Sequence, residues 1–115
     1  MKKVLVVDDA EEFQEALGRE KGLKDKVLLI SAFSIKEAVE KFTANPDIDI
    51  IFMDACVDEV SKIDTEPLVH EFRKTFHGPM IAISSLVAYR NMLIEAGCND
   101  ECSKDELLEK LFSML

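Results

Sequence analysis

The run Val4-Leu5-Val6-Val7 is apolar at every position, so a strand built from it has no solvent face. A half-exposed strand alternates apolar and polar residues, whereas a continuously apolar one belongs to a sheet covered on both sides. Ile48–Met53, interrupted only by Asp49, and Met80–Ile83 read the same way. Val27–Ile30 predicts a second strand, and a short, poor fifth one lies near Glu101–Cys102. Helical spacing fills the intervals. Phe13, Ala16 and Leu17 define a first apolar stripe that Gly22 would stop. Ile35, Ala38, Val39 and Phe42 define a second, opened by the capping box Ser34…Glu37. Leu68, Val69, Phe72 and Phe76 define a third, with Thr65 as its cap and Pro67 in its first turn. A weaker helix over Val87–Ala96 ends at Gly97, and Leu107, Leu108, Leu111, Phe112 and Leu115 line a last one.

Five strand–helix units in succession, with no linker or low-complexity segment, predict an α/β fold. The expected form is a doubly wound, flavodoxin-like, five-stranded parallel sheet with five helices and right-handed crossovers. Spacing alone does not fix the strand order; 2-1-3-4-5 is the commonest arrangement for five units. At 115 residues the chain is expected to form one domain, residues 1–115, and its 48% hydrophobic content fills a core.

A net charge of −9 repels phosphate backbones and argues against nucleic-acid binding, although solubility alone also accounts for such a charge. No apolar run approaches the roughly 18 residues of a membrane span. Lys2-Lys3 leads into too short an apolar run for a signal peptide, so a cytoplasmic location is expected. Cys56, Cys98 and Cys102 are then expected to be reduced, and no Cys/His spacing suggests zinc.

The chemistry-bearing residues follow the strands. Asp8-Asp9 closes the first, Asp54 the third and Ser84-Ser85 the fourth, while Lys104 comes after the fifth. If the first and third strands are neighbours, three carboxylates meet at one sheet edge. Two unit charges about 4 Å apart at an effective dielectric near 20 repel by roughly 4 kcal/mol. Such a cluster either stays partly protonated or recruits a cation, and all-oxygen ligands favour Mg²⁺ over zinc. A carboxylate beside such a cation can attack phosphorus, with a serine hydroxyl and a lysine ammonium receiving the phosphoryl oxygens.

In that combination the chain resembles the receiver domains of two-component response regulators over its whole length. Val4-Leu5-Val6-Val7-Asp8-Asp9 matches the opening motif of that family, and Asp54 falls at the phosphoacceptor position. Pro79-Met80-Ile81-Ala82-Ile83-Ser84 leads to the switch hydroxyl, and Gly97-Cys98-Asn99-Asp100 precedes the lysine, Lys104. The resemblance implies that Asp9 ligates Mg²⁺ directly and Asp8 through water. It also implies that Asp54 is both ligand and phosphoacceptor, and that the Cys56 carbonyl completes the protein ligands. It implies a signalling module and not an enzyme, a sensor histidine kinase or phosphotransfer protein as donor, and a downstream protein as receiver. A monomer is expected, with a dimer through the last two strand–helix units as the alternative. No output domain is expected. Several positions depart from the pattern: Asp105 and Asp58 stand where proline is usual, Glu101 where an aromatic is usual, and Ser85 where alanine or glycine is usual.

Simpler roles exist for each residue. Asp8 and Asp9 can cap the first helix, Ser84 can be satisfied by backbone, and a Ser103…Glu106 capping box would leave Lys104 on an exposed turn. Asp58 reads as a solvated loop acid or as extra charge near the metal. Two other functions compete. One is a degenerate receiver that binds a partner without phosphorylation, motivated by Glu101 and Asp105. The other is a phosphatase of the haloacid-dehalogenase type, which needs an acid two residues beyond its nucleophile, where this chain has Cys56. The first turn lacks the glycines of a nucleotide-binding fold.

Overall fold

The computed structural model describes all 115 residues. Five strands, β1 (Lys2–Val7), β2 (Val27–Ala32), β3 (Ile50–Asp54), β4 (Met80–Ile83) and β5 (Asp100–Cys102), form one parallel sheet in the order β2-β1-β3-β4-β5. The helices are α1 (Glu11–Gly18), α2 (Ile35–Ala44), α3 (Glu66–Arg73), α4 (Val87–Ala96) and α5 (Leu107–Ser113); a 3₁₀ turn, Lys104–Glu106, leads into α5. The fold class and strand order are those expected. No helix is long and apolar enough to cross a membrane.

The strand period of two divides each apolar run between two cores. Leu5, Val7, Ile51, Met53, Met80 and Ala82 pack with Ala38 of α2, Val69 and Phe72 of α3 and Leu93 of α4. Val4, Val6, Ile50, Phe52, Ile81 and Ile83 face the other way, against Leu17 of α1 and Leu107 and Leu111 of α5. The Phe42 and Phe72 rings stack at 4.0 Å between centroids, locking α2 to α3.

Four local expectations are revised. β3 begins at Ile50 and not Ile48, because the Asp49 carboxylate turns back to accept the Lys3 N–H at 2.9 Å. α1 ends at Gly18, and the chain then runs through turns that bury Leu23 and carry it past Gly22. In α1 the inward position is Gln14 (buried) while Ala16 is exposed, and Val39 of α2 is also exposed, at 43%. Thr65 does not cap α3: its hydroxyl sits wholly buried and points to the end of β3. The box at α2 holds in a shifted form, with Ser34 Oγ accepting the Glu37 N–H and the Glu37 carboxylate accepting the Phe33 N–H. Gly97 ends α4 as expected; its φ of 143° is open only to glycine at low cost.

Candidate functional site

The carboxyl ends of β1, β3 and β4 meet where the strand order reverses, the place a doubly wound sheet offers to ligands. Asp8 is wholly buried, Asp54 is 6% exposed and Asp9 is exposed. One carboxylate oxygen from each of the three lies within 4.8 Å of the others. From the far side, Lys104 brings its Nζ to 2.9 Å from Asp8 Oδ2 and 3.3 Å from Asp54 Oδ2. Asp9, Asp54, Cys56, Ser84, Ser85, Leu86, Tyr89 and Lys104 line a cleft of about 380 Å³ that opens over these groups.

The simpler roles are met in part and do not exhaust the residues. Asp8 Oδ1 accepts the Ala10 N–H at 2.9 Å, a turn just ahead of α1; no side chain caps the helix itself. Asp8 Oδ2 is buried and meets the Lys104 ammonium at 2.9 Å. A buried carboxylate oxygen beside two further acids suits a hard divalent cation. Ser84 Oγ accepts the Leu86 N–H at 3.2 Å, and its own hydrogen remains available to a ligand. The Ser103…Glu106 box forms, with Glu106 accepting the Ser103 N–H at 3.0 Å, yet Lys104 still turns inward.

Burial first, and the neighbouring Asp8 charge second, raise the Asp54 pKa from 3.8 to about 6; Lys104 and the Ala55 N–H oppose this only partly. For Lys104 burial works against the charged form, but the bond to Asp8 and the charges of Asp54 and Asp8 prevail and its pKa is raised. The Cys56 thiol is pushed up by burial and then by Asp54, so it is not poised as a nucleophile. Cys98 is pushed up to about 12 and Cys102 to about 11 by burial, and all three cysteines are free thiols.

Several residues that build the site were read from sequence as ordinary. Gln14 donates from Nε2 to the carbonyls of Val6 (2.9 Å), Asp8 (3.1 Å) and Ala32 (3.3 Å), tying α1 to the exits of β1 and β2. Thr65 Oγ1 approaches the Asp54 carbonyl at 2.7 Å and that of Ala55 at 3.1 Å, and so fixes the exit of β3. Thr65→Val keeps the shape and removes the hydroxyl from both carbonyls, although Ala55 O keeps the Asp64 N–H; we expect a loss of about 1–2 kcal/mol in urea unfolding. Phe13, read as core, lies 5.5 Å beneath the Lys104 ammonium. Asp64 accepts the N–H groups of Val57, Asp58 and Glu59, all within 2.9 Å, which orders the long loop after β3. Asp58 turns away from the acids and accepts the Ile35 N–H at 3.2 Å.

No protein-family model matches the sequence, and no curated protein does. The structure has clear relatives. A two-component response regulator from Clostridium difficile superposes with a TM-score of 0.76 at 19% identity, covering 99% of this chain and 92% of the other. A Burkholderia pseudomallei response regulator, solved with a phosphorylated aspartic acid, calcium and citrate, gives 0.81 at 19% identity, covering 98% of this chain and 65% of that one. A mutant receiver domain of a histidine kinase from Arabidopsis thaliana gives 0.70 at 23% identity, covering 97% and 90%. The chain has the fold of the response-regulator receiver domains.

Proposed function

We propose that this chain is a phosphoacceptor module: Asp54 takes a phosphoryl group from a sensor histidine kinase or phosphotransfer protein, and a downstream protein reads the result. The observation that carries this reading is the placement of Lys104 between Asp8 and Asp54, opposite Ser84, around one cleft. In the step, an Asp54 carboxylate oxygen attacks phosphorus as the bond to the donor breaks, and the donor leaves with the electron pair. The ammonium of Lys104 and the hydroxyl of Ser84 face the oxygens that gain charge, where fixed donors do most to stabilise a transition state. Asp8, Asp9, Asp54 and the Cys56 carbonyl would hold Mg²⁺, which supplies further charge to the phosphoryl oxygens when bound. The Burkholderia relative, with its phosphorylated aspartic acid and calcium, supports the chemistry by analogy.

The test is intact mass after incubation with acetyl phosphate and Mg²⁺. Wild type should gain one phosphoryl mass and Asp54→Asn none; an unmodified wild type would overturn the reading. A second reading, a partner-binding module indifferent to phosphorylation, draws on Glu101, a carboxylate held by Arg90 at 3.0 Å. It predicts equal partner affinity for wild type and Asp54→Asn, with and without acetyl phosphate. Turnover of a generic phosphomonoester would instead indicate an enzyme.

A further inference from the structure

The entrance to α4 is weakly packed. Leu86, at its N-cap, offers no side-chain cap, and Leu86 and Val87 are more than half exposed, while the first buried residue of the helix is Leu93. Polar contacts hold this turn in place. The Tyr89 hydroxyl donates to the Ser61 carbonyl at 3.2 Å. Arg90 does more: one guanidinium nitrogen donates to the Ser84 carbonyl at 2.6 Å, and Nε donates to the Glu101 carboxylate at 3.0 Å. The Arg90 side chain is only 15% exposed, while the Glu101 side chain it meets is 37% exposed. A planar fork can serve two acceptors at once, which a lysine does poorly.

The three partners occupy three positions of different meaning. Ser84 lines the cleft above Asp54, Arg90 belongs to α4, and Glu101 lies on β5 beside a shallow outer depression that it shares with Glu106 and Lys110. We infer that Arg90 is a positioning residue that couples the placement of Ser84 to Glu101, so that the state of the cleft and the state of the outer face of β5 constrain each other. This deepens the proposed phosphoacceptor reading and rests on it for its role in signalling; the coupling itself does not require a phosphoryl group. A carboxylate at position 101 thereby has a use that an aromatic ring could not serve. A ligand that draws the Ser84 backbone along with its hydroxyl strains the bond at its carbonyl, and the change arrives at Glu101 through one side chain. Conversely, a partner that takes the Glu101 carboxylate frees Arg90.

A mutant cycle decides the matter, read by proton–nitrogen correlation spectra of the full chain. Glu101→Gln removes the charge and keeps an acceptor. In the wild-type background it should shift the amides of Ser84, Ser85 and Leu86; in an Arg90→Met background those amides should stay in place while β5 amides still move. Ser84 unmoved in the first case, or moved equally in both, would overturn the coupling. The same proteins are then followed by intact mass with acetyl phosphate and Mg²⁺. Arg90→Met should slow phosphoryl uptake by about three- to tenfold, through loosened placement of Ser84, and Arg90→Lys should recover part of that loss. Uptake unchanged in Arg90→Met would remove Arg90 from the reaction. A wild type that takes up no phosphoryl group overturns the phosphoacceptor reading alone, because the spectral cycle still decides the coupling.

Discussion

Replacing Lys104 by methionine is expected to slow phosphoryl uptake from acetyl phosphate by about 10²–10³-fold, the usual cost of removing one preorganised donor. The reason lies in where the charge sits. Lys104 Nζ is within 3.3 Å of both Asp8 and Asp54, and the same face of Asp54 opens into the cleft that would receive the phosphoryl group. Methionine keeps the length but supplies neither a donor nor the cation that lies over Phe13. A second consequence separates this role from simple packing. Two largely buried carboxylates lose their counter-ion, and an uncompensated buried charge costs about 3–5 kcal/mol. Lys104→Met should therefore be strongly destabilised without divalent cation, and Mg²⁺ should raise its melting temperature by more than it raises that of wild type. Equal Mg²⁺ stabilisation in both, measured by calorimetry at matched concentrations, would place Lys104 outside the acidic cluster's charge balance.

The sheet was legible because its pattern is redundant. Three runs apolar on both faces leave few alternatives to a covered parallel sheet, and their alternation with helical stripes fixes the class. Element ends were legible where the pattern or one residue marks them, as across Met80–Ile83, at the Ser34 cap and at Gly97. They were missed where a side chain from elsewhere stands in for the regular bond. Asp49 replaces a ladder partner for Lys3. Such contacts depend on tertiary placement, which local spacing does not record.

The acids were readable for a different reason: a carboxylate that directly follows a buried strand has few structural uses, and three of them converging have fewer. What supports them was not readable. Thr65 sits where a helix cap is expected, and its hydroxyl has two plausible employments that sequence weighs equally; the buried carbonyls at the end of β3 decide between them. Arg90 is one arginine on a weak helix until β4 and β5 place a carbonyl and a carboxylate within reach of its fork.

The raised pKa of Asp54 yields the second large effect. The folded-state value is about 6 against 3.8 for the free group, with burial as the main cause and the Asp8 charge next. A carboxyl raised on folding favours the native state while it is protonated. That contribution is complete below pH 3.8, declines as the pH rises, and is lost once the folded group ionises near 6. At pH 7.5 and without divalent cation, wild type therefore carries a charge in Asp54 that costs about 3 kcal/mol relative to a neutral side chain. Asp54→Asn removes that charge and leaves Lys104 bonded to Asp8 alone. The Asp54→Asn protein is expected to be more stable than wild type by about 2–3 kcal/mol at pH 7.5, with the advantage shrinking below pH 6 and vanishing near pH 4. Urea titrations across that range measure it directly, and a difference independent of pH would show that Asp54 is not strained by its own ionisation. Mg²⁺ should close the gap from the other side, because a cation that binds the native acids stabilises wild type and has one carboxylate fewer to hold in Asp54→Asn. The residue best suited to accept a phosphoryl group is thus one whose free carboxylate the fold holds at a cost, and that cost is relieved by a proton, a cation or a covalent partner.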